Sequence, residues 1–233
     1  ALMPHKYIFH IHCLNSISLL VQENVEQKLA NYFRDLKYSF IKYSMPGLSL
    51  AKEIQKILKD NKPDILFLGN HGLVVGSNSI SGALKKINFV SKSIKTNNHK
   101  KLRLNNNMLH KIALDTFYRP TKYSESNQLA SKDEYINILT SGSLFPDQVV
   151  FLGPRILKIN DKSEINKIFE EFKTKIKLPI IVVPKAGILV PKNITPESEE
   201  LIFAIYLIIS RIPKNEKINY LNESQENEIT NSE

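Results

Sequence analysis

The first hundred residues show apolar spacing that switches between strand and helix. Residues 7–12 (YIFHIH) are β-branched, aromatic and alternating, which predicts a strand. Such a strand places Ile8, His10 and His12 on one face and the residues between them on the other. Two histidines are therefore expected to point the same way.

Further elements follow at regular intervals. Apolar runs predict strands at 40–43, 65–68 and 73–75, and apolar positions at helical spacing predict helices at about 17–32, 48–59 and 79–94. Gly69-Asn70-His71-Gly72 separates two buried runs, which is typical of a tight turn between paired strands. His71 is thus expected at a turn.

A change of composition divides the chain. Residues 95–107 (KTNNHKKLRLNNN) are polar and without period, so we predict a domain at 1–98, a linker at 99–107, a smaller C-terminal α/β extension at 108–215 and a polar tail at 216–233. Within the extension the pattern predicts helices at 108–116, 163–175 and 196–212, and strands at 148–152 and 180–183.

One segment of the extension is similar to a segment of the first domain. PDILFLGNHGLVV (63–75) and LPIIVVPKAGILV (178–190) both have an apolar run, a short turn ending in Gly, and a second apolar run. Either the hairpin is repeated, with Lys185-Ala186-Gly187 in place of Asn70-His71-Gly72, or two βαβ-like segments merely look alike. A true repeat would keep the scaffold and lack the histidine.

Composition narrows the class of protein. The 233 residues are 42% hydrophobic and 24% charged, as in globular domains, and the net charge is +9. The basic residues are scattered lysines without interleaved aromatics, so we expect no nucleic-acid partner, although attraction for phosphorylated small molecules fits the charge. The single Cys13 excludes an intramolecular disulfide. No apolar stretch is long enough to cross a bilayer, so we expect a cytoplasmic protein without a membrane partner.

The candidate chemistry is metal binding by imidazole. Alternate residues of a strand lie about 6–7 Å apart, which lets His10 and His12 converge on one ion, and His71 on its glycine-flanked turn is the candidate third ligand. Three protein ligands and one open position are typical of catalytic zinc. On its own, an HxH on an apolar strand more often consists of two ordinary core or partly exposed histidines than of metal ligands. We expect His5, His99 and His110 to lie outside the metal site, although His5 could support a ligand.

The two histidine motifs together resemble the class II aldolase and adducin family. The resemblance spans roughly residues 2–95 and includes Pro4-His5-Lys6-Tyr7 leading into HxH, Pro46-Gly47-Leu48 opening a helix, and Phe67-Leu68-Gly69-Asn70-His71-Gly72-Leu73-Val74-Val75-Gly76. Beyond residue 100, PDQVVFLGP (146–154) and VPKAGILV (183–190) are similar to the C-terminal extension of longer, sugar-aldolase-like members.

The resemblance implies a three-layer α/β/α domain in which His10, His12 and His71 hold Zn²⁺ or another divalent ion. It further implies a lyase that cleaves or forms a carbon–carbon bond in a sugar or sugar phosphate through a metal-stabilised enediolate, in a homo-oligomer. The alternatives are a sugar-phosphate epimerase of the same family and a non-catalytic, adducin-like or truncated fold-mate.

The proton-transferring residue is the main departure from the family pattern. The family's general base is a Glu upstream of HxH, and nothing precedes Ala1 in this sequence. We therefore expect that the chain is N-terminally truncated and that this Glu lies upstream of Ala1. Glu23 and Glu26, on a predicted helix, are expected to be solvated surface charges. No catalytic residue is assigned within the chain.

Overall fold

The protein is a mixed α/β structure with two mixed sheets. A computed structural model describes residues 2–95, 101–173 and 177–232. The contacts divide the chain into two compact units: unit 1 comprises Ala1–Asn97 and Arg211–Asn219, and unit 2 comprises Asn98–Ser210 and Tyr220–Glu233. We call Arg211–Asn219 the return segment, because this late stretch of the chain joins the first unit. Unit 2 spans more residues than unit 1.

Unit 1 follows the predicted alternation of strands and helices. Its elements are β1 (Tyr7–Ile11), α1 (Leu14–Leu20), α2 (Val25–Tyr32), β2 (Tyr38–Ile41), α3 (Leu48–Asp60), β3 (Ile65–Leu68), β4 (Gly72–Ser77) and α4 (Ile80–Ser93). Ser79 caps α4 by accepting a hydrogen bond from the backbone N–H of Gly82, 3.1 Å away, which fixes the start of this helix.

The sheet of unit 1 lies between two layers of helices. Its strand order is β1-β4-β3-β2, with β2 parallel to β3 and the other pairs antiparallel. Phe67, Leu73 and Val75 pack against residues of α1, α2 and α4 on one face. Leu66 and Leu68 pack against residues of α3 on the other face. Alternation along fully buried strands fills both cores, so the α/β/α arrangement follows from the pattern.

The helix predicted over 17–32 is instead two helices. The chain breaks between α1 and α2, where Gln22 forms a β-bridge with Ile218 and the backbone N–H of Glu23 donates to the carbonyl of Lys217, 3.0 Å away. These backbone groups pair with the return segment instead of continuing the helix. The partner is almost two hundred residues away, which local periodicity cannot detect.

Unit 2 contains the remaining elements. They are α5 (Asn106–Ala113), β5 (Tyr118–Pro120), a 3-10 helix (Ser124–Ala130), α6 (Asp133–Thr140), α7 (Pro146–Leu152), β6 (Ile156–Lys158), α8 (Ser163–Phe172), β7 (Ile180–Val183), β8 (Gly187–Pro191), α9 (Pro196–Ile209) and α10 (Glu223–Asn231). The end of the helix predicted at 163–175 and the start of the predicted linker fall partly outside the described residues, and α5 already begins within the predicted linker.

The second sheet repeats the topology of the first. Its order is β5-β8-β7-β6, with β6 parallel to β7 and the other pairs antiparallel. The β3–β4 and β7–β8 hairpins both enclose three residues, and the middle residue is left-handed in each, with φ of 52° at Asn70 and 60° at Lys185. The repeat suggested by the sequence is therefore a repeat of sheet order and of hairpin geometry.

One expectation about unit 2 was wrong. Residues 148–152 form part of α7 rather than a strand, because Pro146 occupies the first turn and a short apolar run cannot distinguish a buried helix from a buried strand. The stretch predicted as a polar tail contains part of the return segment and α10. Ile229 on α10 is only 2% exposed, so one apolar residue anchors an otherwise polar helix.

A buried carboxylate joins the start of α9 to β5. Glu199 is 1% exposed and forms a bidentate ion pair with Arg119, at 2.9 and 2.8 Å. It also accepts from the hydroxyl of Thr121, 3.0 Å away, and from the backbone N–H of Lys122, 2.6 Å away. Burial alone would raise the pKa of Glu199, but these hydrogen bonds outweigh it and lower the pKa.

Candidate metal centre

Three imidazoles meet at one end of the first sheet. The nitrogen atoms that His10, His12 and His71 can offer to an ion lie within 4.8 Å of one another. The ring centroids are 4.8–5.0 Å apart and the rings are steeply inclined to each other. His10 and His12 are exposed and His71 is half-buried, so the cluster is open to solvent on one side.

Strand β1 and its neighbour β4 set the first two side chains. Ile8 packs in the core on the α3 face, whereas Phe9 and Ile11 pack on the opposite face, as alternation predicts. The Nδ1 of His10 lies 2.9 Å from the carbonyl oxygen of Leu73. Since a carbonyl only accepts, this contact assigns a proton to Nδ1, so Nε2 is the atom of His10 that can offer a lone pair to an ion.

The β3–β4 turn supplies the third imidazole. The backbone N–H of His71 donates to the carbonyl of Leu68, 3.1 Å away, and Asn70 adopts its left-handed conformation without the penalty that a β-branched residue would meet. A Cβ on Gly72 would lie 2.6 Å from the carbonyl oxygen of Ile11 and 3.1 Å from Cδ2 of His12. The glycine thus lets β4 approach the end of β1, where His12 begins.

The spacing of two of the three imidazoles fits a tetrahedral divalent ion. Neighbouring nitrogens around an ion with Zn–N bonds of about 2.0–2.1 Å are separated by about 3.3 Å. The Nε2 atoms of His10 and His12 are 3.2 Å apart, close to that separation. Three imidazoles that leave an open side also match the ligand set of catalytic zinc, which keeps a position for water or substrate.

Within unit 1, His5 lies apart from this cluster. His5 precedes β1 at the end remote from His12, and its Nε2 lies 2.9 Å from Asp64. Lys86 forms an ion pair with the same carboxylate at 2.9 Å. Burial would raise the pKa of Asp64, but hydrogen bonds from Lys86 and His5 outweigh it and lower the pKa. His110 lies on α5 of unit 2, and the predicted position of His99 is outside the described residues.

The two carboxylates considered from the sequence are surface charges, as expected. Glu23 and Glu26 are exposed, and Glu26 makes a loose ion pair with Lys42 at 3.8 Å. Within the described residues, the metal-competent cluster consists of the three histidines alone. No proton-transferring group is therefore assigned from this structure.

The second hairpin carries no imidazole. When 63–75 is set against 178–190, Ala186 takes the place of His71 and Lys185 that of Asn70. By strand register His10 faces Val74, whose counterpart in the second hairpin is Leu189, and Leu189 faces Pro120. The repeated scaffold thus has ordinary residues where unit 1 has two of its three ligands.

Comparison with known protein families finds a match for the N-terminal part of the chain. Residues 1–97 match the family described as Class II Aldolase and Adducin N-terminal domain. The match covers less than half of the chain, so it shows a similarity of the N-terminal part to this family. No curated protein matches the chain.

One solved structure is similar to part of the chain. A crystal structure of an aldolase II superfamily protein from Pseudomonas syringae shares 18% identity over 37% of this chain and 36% of that chain, with a TM-score of 0.31. The chain therefore matches about a third of the length of that protein.

A separate finding concerns membranes. No helix within the described residues is long and apolar enough to span a bilayer.

Two contributors to the site were not assigned from the sequence. The glycine neighbouring His71 indicated in the sequence that the backbone could approach closely there, but the sequence did not show that the approaching strand is β1. Nothing in the sequence pointed to Asn219, which contacts the turn of His71, because it lies in a polar stretch far along the chain.

Proposed function

We propose that unit 1 binds one divalent metal ion, Zn²⁺ in the first instance, through His10, His12 and His71. The observation that carries this proposal is the convergence of their nitrogen atoms within 4.8 Å, with the His10 tautomer fixed by the carbonyl of Leu73. Imidazole nitrogen suits zinc better than Mg²⁺ or Ca²⁺, which prefer oxygen ligands.

We further propose that the chain is part of a metal-dependent lyase acting on a sugar or sugar phosphate. The match of residues 1–97 to the class II aldolase and adducin family and the open side of the cluster support this. When bound, the ion supplies Lewis acidity toward a carbonyl oxygen. The chain's own residues hold the three imidazoles in place, and the net charge of +9 favours the approach of a phosphorylated substrate. An epimerase of the same family would use the same part of the site.

The alternative is a non-catalytic, adducin-like member of the family. The absence of any carboxylate from the metal-competent cluster, among the described residues, favours it. The two candidates differ in whether the protein labilises a proton or a carbon–carbon bond next to a carbonyl.

Solvent exchange separates these candidates. The protein, loaded with one equivalent of Zn²⁺, is incubated with dihydroxyacetone phosphate in D₂O, and deuterium uptake next to the carbonyl is followed by NMR. A lyase or epimerase acting through an enediolate predicts uptake that is lost in His71→Ala and kept in the matched control His110→Ala. A protein that binds zinc but neither exchanges the proton next to the carbonyl nor cleaves any ketose phosphate tried would contradict the lyase. That result would favour the non-catalytic alternative.

A further inference from the structure

The turn that presents His71 is held by an amide pair with the return segment. Asn70 is fully buried, and its Nδ2 donates to the backbone carbonyl of Asn219, 2.6 Å away. In the opposite direction, the Nδ2 of Asn219 donates to Oδ1 of Asn70, 3.0 Å away. A single residue therefore satisfies both a donor and the acceptor of a side chain directly adjacent to a candidate metal ligand.

The backbone of the return segment fixes the position of Asn219. Its N–H donates to the carbonyl of Val21, 2.7 Å away, at the end of α1. The two preceding residues, Lys217 and Ile218, pair with the break between α1 and α2. Asn219 is thus attached to the core of unit 1 independently of its contact with Asn70.

The repeated hairpin of unit 2 shows that the turn itself does not need this amide pair. Lys185 occupies the position of Asn70, with φ of 60° against 52°, and the N–H that follows it donates to a carbonyl three residues back in both turns. The side chain of Lys185 is exposed. The same backbone conformation therefore forms without a buried amide. What distinguishes the first turn is that it carries a histidine of the metal-competent cluster.

We propose that Asn219 is a positioning residue that acts through Asn70 to hold His71 in its metal-binding orientation. The inference rests on the metal site proposed above. Metal–ligand distances tolerate deviations of only about 0.2 Å, so a turn free to shift would weaken binding without removing a ligand. Loss of partners that orient metal ligands typically lowers metal affinity by about 10- to 100-fold.

A double-mutant cycle tests this proposal on the full chain. Zinc affinity is measured by competition with a chromophoric chelator for wild type, Asn219→Ala, Asn70→Gly and the double variant; glycine at 70 keeps the left-handed backbone accessible. We expect each single variant to bind zinc about 10- to 100-fold more weakly, and the double variant to bind no more weakly than Asn70→Gly. The visible spectrum of the Co²⁺-loaded protein should change in the same variants, since it reports ligand geometry.

Glu216→Gln is the matched control, because it removes the ion pair of the return segment with Lys28, which involves neither Asn70 nor Asn219. It should lower the resistance to denaturant and leave both the zinc affinity and the Co²⁺ spectrum unchanged. Folding of every variant is checked by circular dichroism. If Asn219→Ala does not fold, the zinc affinity of Asn70→Gly is compared with that of Glu216→Gln, and only Asn70→Gly should bind zinc more weakly.

The possible failures are distinct. A wild-type protein that holds no metal overturns the proposed function, and this inference with it. Metal-binding wild type with unchanged affinity and spectrum in folded Asn219→Ala overturns only the positioning role. Independent, multiplying effects of the two substitutions would likewise refute action through Asn70.

Discussion

Substituting alanine for Gly72 probes how closely β4 must approach β1 at the metal centre. The new Cβ would lie 2.6 Å from the carbonyl oxygen of Ile11, about 0.8 Å short of the 3.4 Å at which ordinary contact begins. The atom it meets is backbone, which cannot rotate away, so the strands have to separate locally. His12 follows Ile11 directly and would move with it.

The size of the effect follows from that displacement. A shift approaching 0.8 Å exceeds the roughly 0.2 Å tolerance of metal–ligand distances. We therefore expect zinc affinity to fall at least about tenfold, equivalent to about 1.4 kcal/mol of binding free energy. Overpacking should also lower the free energy of unfolding by about 1–3 kcal/mol.

The assay is chelator competition for zinc together with urea denaturation. Gly187→Ala, at the equivalent position of the unit 2 hairpin, is the matched control, since its Cβ would clash with Asn127 but lies in the hairpin without imidazole. Both variants should be destabilised, and only Gly72→Ala should bind zinc more weakly. A folded Gly72→Ala protein with wild-type affinity would refute the proposed dependence of His12 on this approach.

Two further substitutions test the charge interactions. The pKa of Asp64 is lowered by Lys86 and His5 from its ordinary 3.8, so its pairing should stabilise the fold above that pH and cease to do so as pH falls through the lowered value. The difference in unfolding free energy between wild type and Asp64→Asn, measured with urea, should therefore shrink from about pH 7 to about pH 2.5. A constant difference would contradict this. Glu199→Gln should lower the unfolding free energy by on the order of 3 kcal/mol because it breaks a buried ion pair. The control Glu200→Gln, at an exposed position of the same helix, should change the unfolding free energy by less than about 0.5 kcal/mol. Equal effects would rule out a stabilising role for the buried carboxylate.

The parts of the fold that local pattern determines were predictable. Alternation in β1 correctly placed Ile8 on the face opposite Phe9, and the glycine-flanked run correctly placed His71 at a hairpin turn. The strand predicted at residues 148–152 was wrong because the four consecutive apolar positions at 149–152 carry no period that separates helix from strand.

The features that long-range pairing determines were not predictable. The break after α1 depends on Ile218, and the amide partner of Asn70 is Asn219, both in a stretch that looks like a polar tail. The sequence motifs predicted the three histidines as ligands of one ion. Which backbone carbonyl orients His10, and which residue fixes the turn of His71, depend on the register of β1 on β4 and on the return segment.

Metal content tests the central claim most directly. The full chain is purified, loaded with Zn²⁺, desalted and assayed by elemental analysis beside His71→Ala and the control His5→Ala, whose imidazole pairs with Asp64 instead. The account predicts about one equivalent of zinc in wild type and in His5→Ala, and loss of that zinc in His71→Ala. A metal-free wild type, or equal zinc in wild type and a folded His71→Ala protein, would contradict it.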